Sequence, residues 1–460
     1  MKKRIIYLSL CALLFTNSIS AYAANISRLG GTDRYETAKL INNKMNSKTL
    51  ILVSGTGFAD ALSSTSLIKY YDAEIHLVKQ TLDSNTISSL NNGEFEQAII
   101  VGGTGVISST IESQLKNKLG SNNVERLGGI DRYETSSLVA KKVTSLSSSV
   151  PYTFIVSGKA FPDALSVASV AAMTGSPIVL SNGTTISSGG LASVNKTSDT
   201  VYKLGGPTII GNTFDSKIGS YERLFGIDRY ETNKLICNEF KELFSGDEIF
   251  VASGLNFPDA LAGSALAAKE KAPIVFVSSK AEESAKDVVK SLNKPNLTVL
   301  GGSGVVSDSI IENLLSNEKS FEDSINEEIL RLVNIERSKV GISPLSWSNS
   351  SAPYAEHKSD DMYMNNYFSH ADLSGKFTYE YMRADGVAFN IWGENIAKSY
   401  FKKNSTYKSI ANELVQGWMQ SKGHRENILN ASFNEIGIGC SFENTNSNSI
   451  IYATQIFINN

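Results

Sequence analysis

The chain has 460 residues, and 43 basic against 46 acidic side chains give a formal charge of −3, so no global positive excess points to nucleic acid. Three cysteines are too few for a disulfide-dense scaffold or a cysteine-built zinc site. The length is several domains' worth of chain.

At the N terminus Lys2, Lys3 and Arg4 precede an apolar run over residues 5–15, and Ala21-Tyr22-Ala23 supplies a small-x-small cleavage pattern. Residues 1–24 read as a secretory signal peptide. The run is too short to cross about 30 Å of hydrocarbon and no later segment reaches about 18 apolar residues, so no membrane span is expected after cleavage. Cys11 follows Leu10 instead of the small residue a lipobox needs, which argues against lipidation. Cleavage removes three positive charges and no acids, leaving a net charge of about −6, so any anionic partner must be met by a local basic patch. Cys237 and Cys440 read as unpaired buried thiols.

From residue 25 the pattern alternates: 50–53 reads as a buried strand, 58–70 as a helix, 74–78 and 98–101 as further strands, and 109–119 as a helix. Continuous apolar strands alternating with helices indicate a parallel sheet covered on both faces. The unit then repeats. Arg28-Leu-Gly-Gly-Thr-Asp-Arg-Tyr-Glu-Thr37 returns as Arg126-Leu-Gly-Gly-Ile-Asp-Arg-Tyr-Glu-Thr135 and Arg223-Leu-Phe-Gly-Ile-Asp-Arg-Tyr-Glu-Thr232, at spacings of 98 and 97 residues. A second landmark keeps step: Val53-Ser-Gly-Thr-Gly-Phe-Ala-Asp-Ala-Leu62, Val156-Ser-Gly-Lys-Ala-Phe-Pro-Asp-Ala-Leu165 and Ala252-Ser-Gly-Leu-Asn-Phe-Pro-Asp-Ala-Leu261. Paired glycines after a strand, Gly102-Gly103, Gly205-Gly206 and Gly301-Gly302, make a third. Three tandem Rossmann-like α/β modules follow, over 25–122, 123–219 and 220–316. None of the glycine pairs spells Gly-x-Gly-x-x-Gly, so they read as tight strand-to-helix turns and not as a nucleotide cradle.

Asp33, Asp131 and Asp228 suit helix N-caps, with Glu36, Glu134 and Glu231 three residues on completing capping boxes. Capping does not explain the arginines. Residues 25–324 contain only six, Arg28, Arg34, Arg126, Arg132, Arg223 and Arg229, all in this motif. That restriction asks for planar, multidentate geometry, either to an anionic ligand or to carboxylates within the protein such as Asp60, Asp163 and Asp259. His76, alone in a strand, reads as structural.

The repeats resemble the type-2 cell-wall-binding repeats of Gram-positive surface proteins. The resemblance implies a triangular pseudo-trimer that binds an anionic secondary wall polymer non-covalently. Ala59, where the other copies have proline, and Phe225, in place of a motif glycine, depart from the pattern and put equal binding by the three modules in doubt.

Residues 317–324 read as a polar linker, after which three of the four histidines and all three tryptophans occur. Residues 325–340 and 355–364 read as helices. His370 in Tyr367-Phe-Ser-His370, Glu394 in Gly393-Glu-Asn395 and His424 in Gly423-His-Arg-Glu-Asn427 are candidates for a divalent metal such as zinc with an open position for water; satisfied core histidines are the alternative. With Ala355-Glu-His-Lys-Ser-Asp-Asp-Met362, Trp418, Gly437-Ile-Gly439 and Tyr452-Ala-Thr-Gln-Ile-Phe457, these motifs resemble the CAP superfamily over 325–460, which includes cysteine-rich secretory proteins, venom antigens and plant pathogenesis-related proteins. The resemblance implies an α-β-α sandwich whose cleft holds His370, His424 and Glu394. The second cleft glutamate of animal members is missing, since Met419, Gln420 and Ser421 follow Trp418. His357 reads as covering a helix face. Two functions stay open: a wall-anchored surface protein whose CAP domain binds an unknown ligand or partner, or a metal-assisted hydrolase of peptide or wall material with Glu394 as its base. No Ser-His-Asp or Cys-His arrangement offers a nucleophile.

Overall fold

The central strands of each repeat are almost entirely buried, as a parallel sheet covered on both faces requires, whereas residues 25–29 and 222–224 are half-buried or exposed. In the computed structural model, which describes residues 25–79, 81–316, 319–402, 404–444 and 448–459, the strands run in chain order as β1 (Asn25–Leu29), β2 (Thr49–Ser54), β3 (Ala73–Val78), β4 (Gln97–Val101), β5 (Val124–Leu127), β6 (Val150–Ser157), β7 (Ile178–Ser181), β8 (Thr197–Leu204), β9 (Glu222–Leu224), β10 (Glu248–Ser253), β11 (Ile274–Val277) and β12 (Asn296–Leu300). The expected signal peptide, with Cys11, lies outside the described residues, as do Asn317 and Glu318 of the expected linker.

These strands make three parallel sheets, ordered β3-β2-β4-β5, β7-β6-β8-β9 and β11-β10-β12-β1. The motif strand of each repeat is therefore the fourth strand of the preceding repeat's sheet. The boundaries at 122/123 and 219/220 follow the sequence period, and the sheets cross them by one strand. For the first repeat the preceding sheet is the third: Asn25 pairs with Asn296 and Leu29 with Leu300, closing the three modules into a ring. Ser27 Oγ lies 2.6 Å from Thr298 Oγ1 across this pairing.

The inner faces share one core, in which Val53, Leu62, Phe154, Leu165, Val251 and Leu261 belong to a single contiguous apolar cluster. The modules thus form the expected pseudo-trimer. Phe58, Phe161 and Phe257, one from each copy of the second landmark, meet at its centre with ring centroids 6.0 to 6.3 Å apart. Ala59 starts a helix where Pro162 and Pro258 start the equivalent ones, so the missing proline leaves the fold unchanged. The helix expected over 58–70 breaks into Ala59–Ser64, a 3-10 turn Thr65–Leu67 and Ile68–Tyr71. Ser63, Ser64, Thr65 and Ser66 each donate a hydroxyl back to a carbonyl three or four residues earlier, which competes with regular helix.

The C-terminal part is the expected sandwich. β13 (Ser346–Trp347), β14 (Ile391–Lys402), β15 (Glu435–Asn444) and β16 (Asn448–Asn459) form one sheet in the order β13-β15-β16-β14. Helices Phe321–Lys339 and Tyr407–Gln420 cover one face, and Ala352–Met364 and Thr378–Ala384 pack with the other. The first of these helices starts four residues before the expected Ile325, because the Ser320 hydroxyl caps it through the amide of Asp323. Arg337 is fully buried and places four of its five N–H groups on the carbonyls of Ser343, Ile428, Asn430 and Phe433, with no carboxylate partner among the described residues.

The ring closure is directly testable. The pair Ser27→Cys and Thr298→Cys should form a disulfide under mild oxidation, seen as faster migration on a non-reducing gel, and raise stability by about 4 kcal/mol for so long a loop. Failure of the two thiols to join would place β1 elsewhere.

Candidate functional site

The first arginines of the motif lie on the exchanged strands and reach back to the glycine pair of the sheet they complete. Nη1 of Arg28, Arg126 and Arg223 donates to the carbonyls of Gly301, Gly102 and Gly205 at 2.9, 2.8 and 2.6 Å. Their other donors meet Asp308, Glu112 and Asn212. Backbones approach so closely here that a Cβ on Gly30 or Gly128 would lie 2.4 or 2.5 Å from the carbonyl oxygen of Gly301 or Gly102.

The acids cap as expected, with one refinement. Asp33, Asp131 and Asp228 accept from the amides of the helices that begin at Arg34, Arg132 and Arg229. Glu36, Glu134 and Glu231 reach one residue beyond the cap, to the amides of Thr32, Ile130 and Ile227.

The second arginines converge on the centre. Arg34, Arg132 and Arg229 each donate Nη1 to the carbonyl of Gly55, Gly158 or Gly254 in their own repeat, at 2.6 to 2.7 Å. Each guanidinium also lies over the central phenylalanine of the preceding module in the ring: Arg34 over Phe257, Arg132 over Phe58 and Arg229 over Phe161, at 5.4 to 5.9 Å from the ring centroid. Three guanidinium groups are thereby gathered around one aromatic triad. Among the described residues, no hydrogen bond engages their Nη2 atoms.

Beside each arginine is the aspartate of the second landmark. Burial raises the carboxyl of Asp60, offset by the Thr135 hydroxyl and by Arg132. It raises Asp259 likewise, offset by Thr37 and Arg34. Asp163 is pushed up to about 6 by burial against the opposing pull of Arg229. The aspartates also press on the glycine pairs: a Cβ on Gly102, Gly205 or Gly301, all at positive φ, would lie 3.2, 2.9 or 2.7 Å from their Oδ2 atoms. All three sequence landmarks therefore meet at each junction. Between modules 1 and 2 the junction opens as a cleft of about 620 Å³ that runs outward from Phe58 and Arg132 to Gly103, Val106 and Ile130.

In the C-terminal sandwich, Glu394 on β14 is buried and bonds His370 Nδ1 through Oε1 at 2.7 Å, while Oε2 accepts from the Thr378 hydroxyl at 2.6 Å. His424, on helix Lys422–Ile428, is held below the ordinary histidine value by burial and by the charge of His370. The two histidines line a depression of about 350 Å³ with Phe368, Phe377 and Ile396. Glu394 thus orients His370 through one oxygen while Thr378 holds the other. Among the described residues no group of three or more histidine, cysteine, aspartate or glutamate side chains is disposed to hold a metal ion. Of the three expected residues, Glu394 touches His370, and His370 and His424 line the same depression.

Sequence reading missed Lys358 and Thr378. The Lys358 amine is buried, bonds the Tyr367 hydroxyl at 3.0 Å and is lowered by burial against the pull of Glu394, Asp361 and Asp372. Its helical spacing, three residues after the buried Ala355, was the available signal. His76 pairs with Glu74 at 2.6 Å and is structural in placement. Cys237 and Cys440 are free and buried, as expected.

The profile of cell wall binding domain 2 matches residues 28–112, 126–215 and 223–311. The chain belongs to this family. The cysteine-rich secretory protein family, CAP, matches residues 330–457. N-acetylmuramoyl-L-alanine amidase LytC of Bacillus subtilis is 32% identical over 322 residues, covering 68% of this chain and 63% of the relative. The amidase enhancer of the same organism is 29% identical, over 70% of this chain and 46% of its own length. The chain thus spans less than two thirds of either relative. The solved structure of Cwp6 from Clostridium difficile shares 29% identity with a TM-score of 0.57, over 64% of this chain and 48% of that one. The repeats are cell-wall-binding modules, the protein is one of the cell wall or surface, and among the described residues no helix is long and apolar enough to cross a membrane.

The cell-wall-binding modules carry a pH signature. Asp163 binds its proton more tightly folded than unfolded, so its contribution to stability is complete below pH 3.8 and is lost as pH rises through about 6. Asp163→Asn should therefore stabilise the protein by about 2 kcal/mol at pH 8 and hardly at all at pH 4. Thermal melts at the two pH values check this, and an equal shift at both would refute the assignment.

Proposed function

We propose that this is an exported protein held non-covalently on an anionic secondary wall polymer by its three modules, with Arg34, Arg132 and Arg229 at the polymer and Arg28, Arg126 and Arg223 bracing the junctions. The observation that carries this reading is the gathering of three guanidinium groups, each with a free edge, around the central phenylalanine triad. The chain as a whole is acidic, so a polyanion needs such a local concentration of charge. Nη1 of each is already fixed on a backbone carbonyl, so the planes are held in place before a ligand arrives, which lowers the ordering cost of binding.

The CAP domain is displayed as a ligand-binding domain. Its depression combines an apolar floor with the imidazoles of His370 and His424, a setting for a ligand with an apolar body and a polar end. Glu394 carries one hydrogen bond on each oxygen, from His370 and from Thr378, so its first role is to fix the imidazole. If a divalent cation such as zinc binds, His370, His424 and Glu394 are the residues that would hold it.

Two measurements test these assignments. Replacing Arg34, Arg132 and Arg229 together by lysine should lower the melting temperature somewhat and, measured well below it on folded protein, weaken binding to polysaccharide extracted from Gram-positive walls at least about tenfold, because lysine keeps the charge and loses the fork. Unchanged binding would remove these arginines from the polymer site. In the CAP domain, Glu394→Gln should shift the His370 imidazole resonances and raise its mobility in NMR spectra; an unperturbed ring would mean that Glu394 does not orient it.

A further inference from the structure

The three junctions of the ring are equivalent in sequence but not in what covers them. Between modules 1 and 2 the cleft is open, and Ile130 at its rim is 96% exposed. Thr32 takes the same position between modules 3 and 1, and is also exposed. Between modules 2 and 3 the equivalent residue is Ile227, which packs against the CAP cluster of Tyr354, Met382, Ile456 and Ile458. Gly206, Thr208 and Ile209, counterparts of Gly103, Gly105 and Val106 in the open cleft, here share a cavity of about 300 Å³ with Tyr354, His357, Tyr381 and Asp385 of the CAP domain. Asp131 and Glu134 are exposed, whereas Asp228 and Glu231 are half-buried.

Two further observations show that this contact is built into the chain. The only motif glycine replaced in any copy is at Phe225, whose ring stands against Gly206 and lines the shared cavity. Separately, Lys280 of module 3 donates to Glu356 at 2.8 Å and lies 3.4 Å from Asp360, both on CAP helix Ala352–Met364. Burial would depress the Lys280 amine, yet the two carboxylates hold it above its ordinary value.

We propose that the CAP domain is seated on the cleft between modules 2 and 3 and withdraws it from the wall, so that the polymer binds through the clefts between modules 1 and 2 and between modules 3 and 1. This rests on the reading that the junction clefts lead the polymer to the central arginines. The CAP side chains at the covered cleft set Asp361, Asp372 and Asp385 against Lys358 and Lys376, so they offer a polyanion no positive excess in exchange for the access they block. The open cleft has no CAP side chain over it: its outer end is the glycine turn with Val106 and Ile130, and it leads inward past Asp60 and Asp131 to Arg132.

Val106, Ile209 and Val305 hold equivalent rim positions and all are 40 to 48% exposed, so a single carboxylate can be placed at each cleft of the full chain without disturbing its core. Binding to extracted wall polysaccharide should fall at least about fivefold for Val106→Glu and for Val305→Glu, through like-charge repulsion, and stay unchanged for Ile209→Glu. Equal loss in all three would show that the covered cleft takes polymer and overturn the proposal. If wild type binds and none of the three substitutions matters, the clefts are not the route and the proposal also falls, with anchoring intact. If the wild-type chain binds no polymer at all, the anchoring reading itself fails.

Discussion

The structure depends on one pairing between the two ends of the repeat region. β1 lies in register with β12, so the strand Asn25–Leu29 completes a sheet built from residues more than 200 positions later. Closing so long a loop costs chain entropy only logarithmically in its length, while it satisfies one edge of the third sheet and removes an unpaired strand that would otherwise invite association. The same exchange recurs at β5 and β9. Because each motif strand is donated to the preceding module in the ring, each motif helix starts at a junction between modules. That is why its arginine can bond within its own repeat and stack on the phenylalanine of a neighbour.

Much of this was legible in the sequence, and the part that was not has a common cause. The apolar strands, the acid caps and the parallel α/β class follow from patterns local in the chain, and local patterns are what periodicity reports. Strand exchange is invisible to it. A repeat with a 97 to 98 residue period has the same sequence whether Arg126 sits in its own sheet or in the one before. The partners of the arginines were hidden for the same reason, since the carbonyls of Gly301, Gly102 and Gly205 carry no side-chain signature. In the CAP domain the three chemical residues were found but not their arrangement. Spacing along the chain could nominate Glu394 as a ligand; only three-dimensional packing could place Thr378 on its second oxygen.

The glycines and aspartates of the landmarks mark where the ring is under the tightest constraint. Gly102, Gly205 and Gly301 adopt positive φ and face the carboxylate of Asp60, Asp163 or Asp259 in their own module. A buried Asp60, Asp163 or Asp259 costs desolvation, partly offset by the nearby arginine. These acids and arginines hold one another at the centre of the ring, so the motif serves assembly and surface charge at once. Phe225 shows how a repeat can depart from it: where the other copies need glycine, module 3 places a side chain and gains a seat for the domain that follows.

The central claim is that closing the ring creates the wall-binding face. Hydrogen–deuterium exchange on the full chain, with and without extracted wall polysaccharide, addresses it most directly. The account predicts slowed exchange on binding at residues 55–58, 158–161 and 254–257, the turns that carry the central phenylalanines and receive the arginines. Protection confined to the outer helix Ser109–Leu119 or to the CAP sandwich, with these turns unchanged, would contradict it.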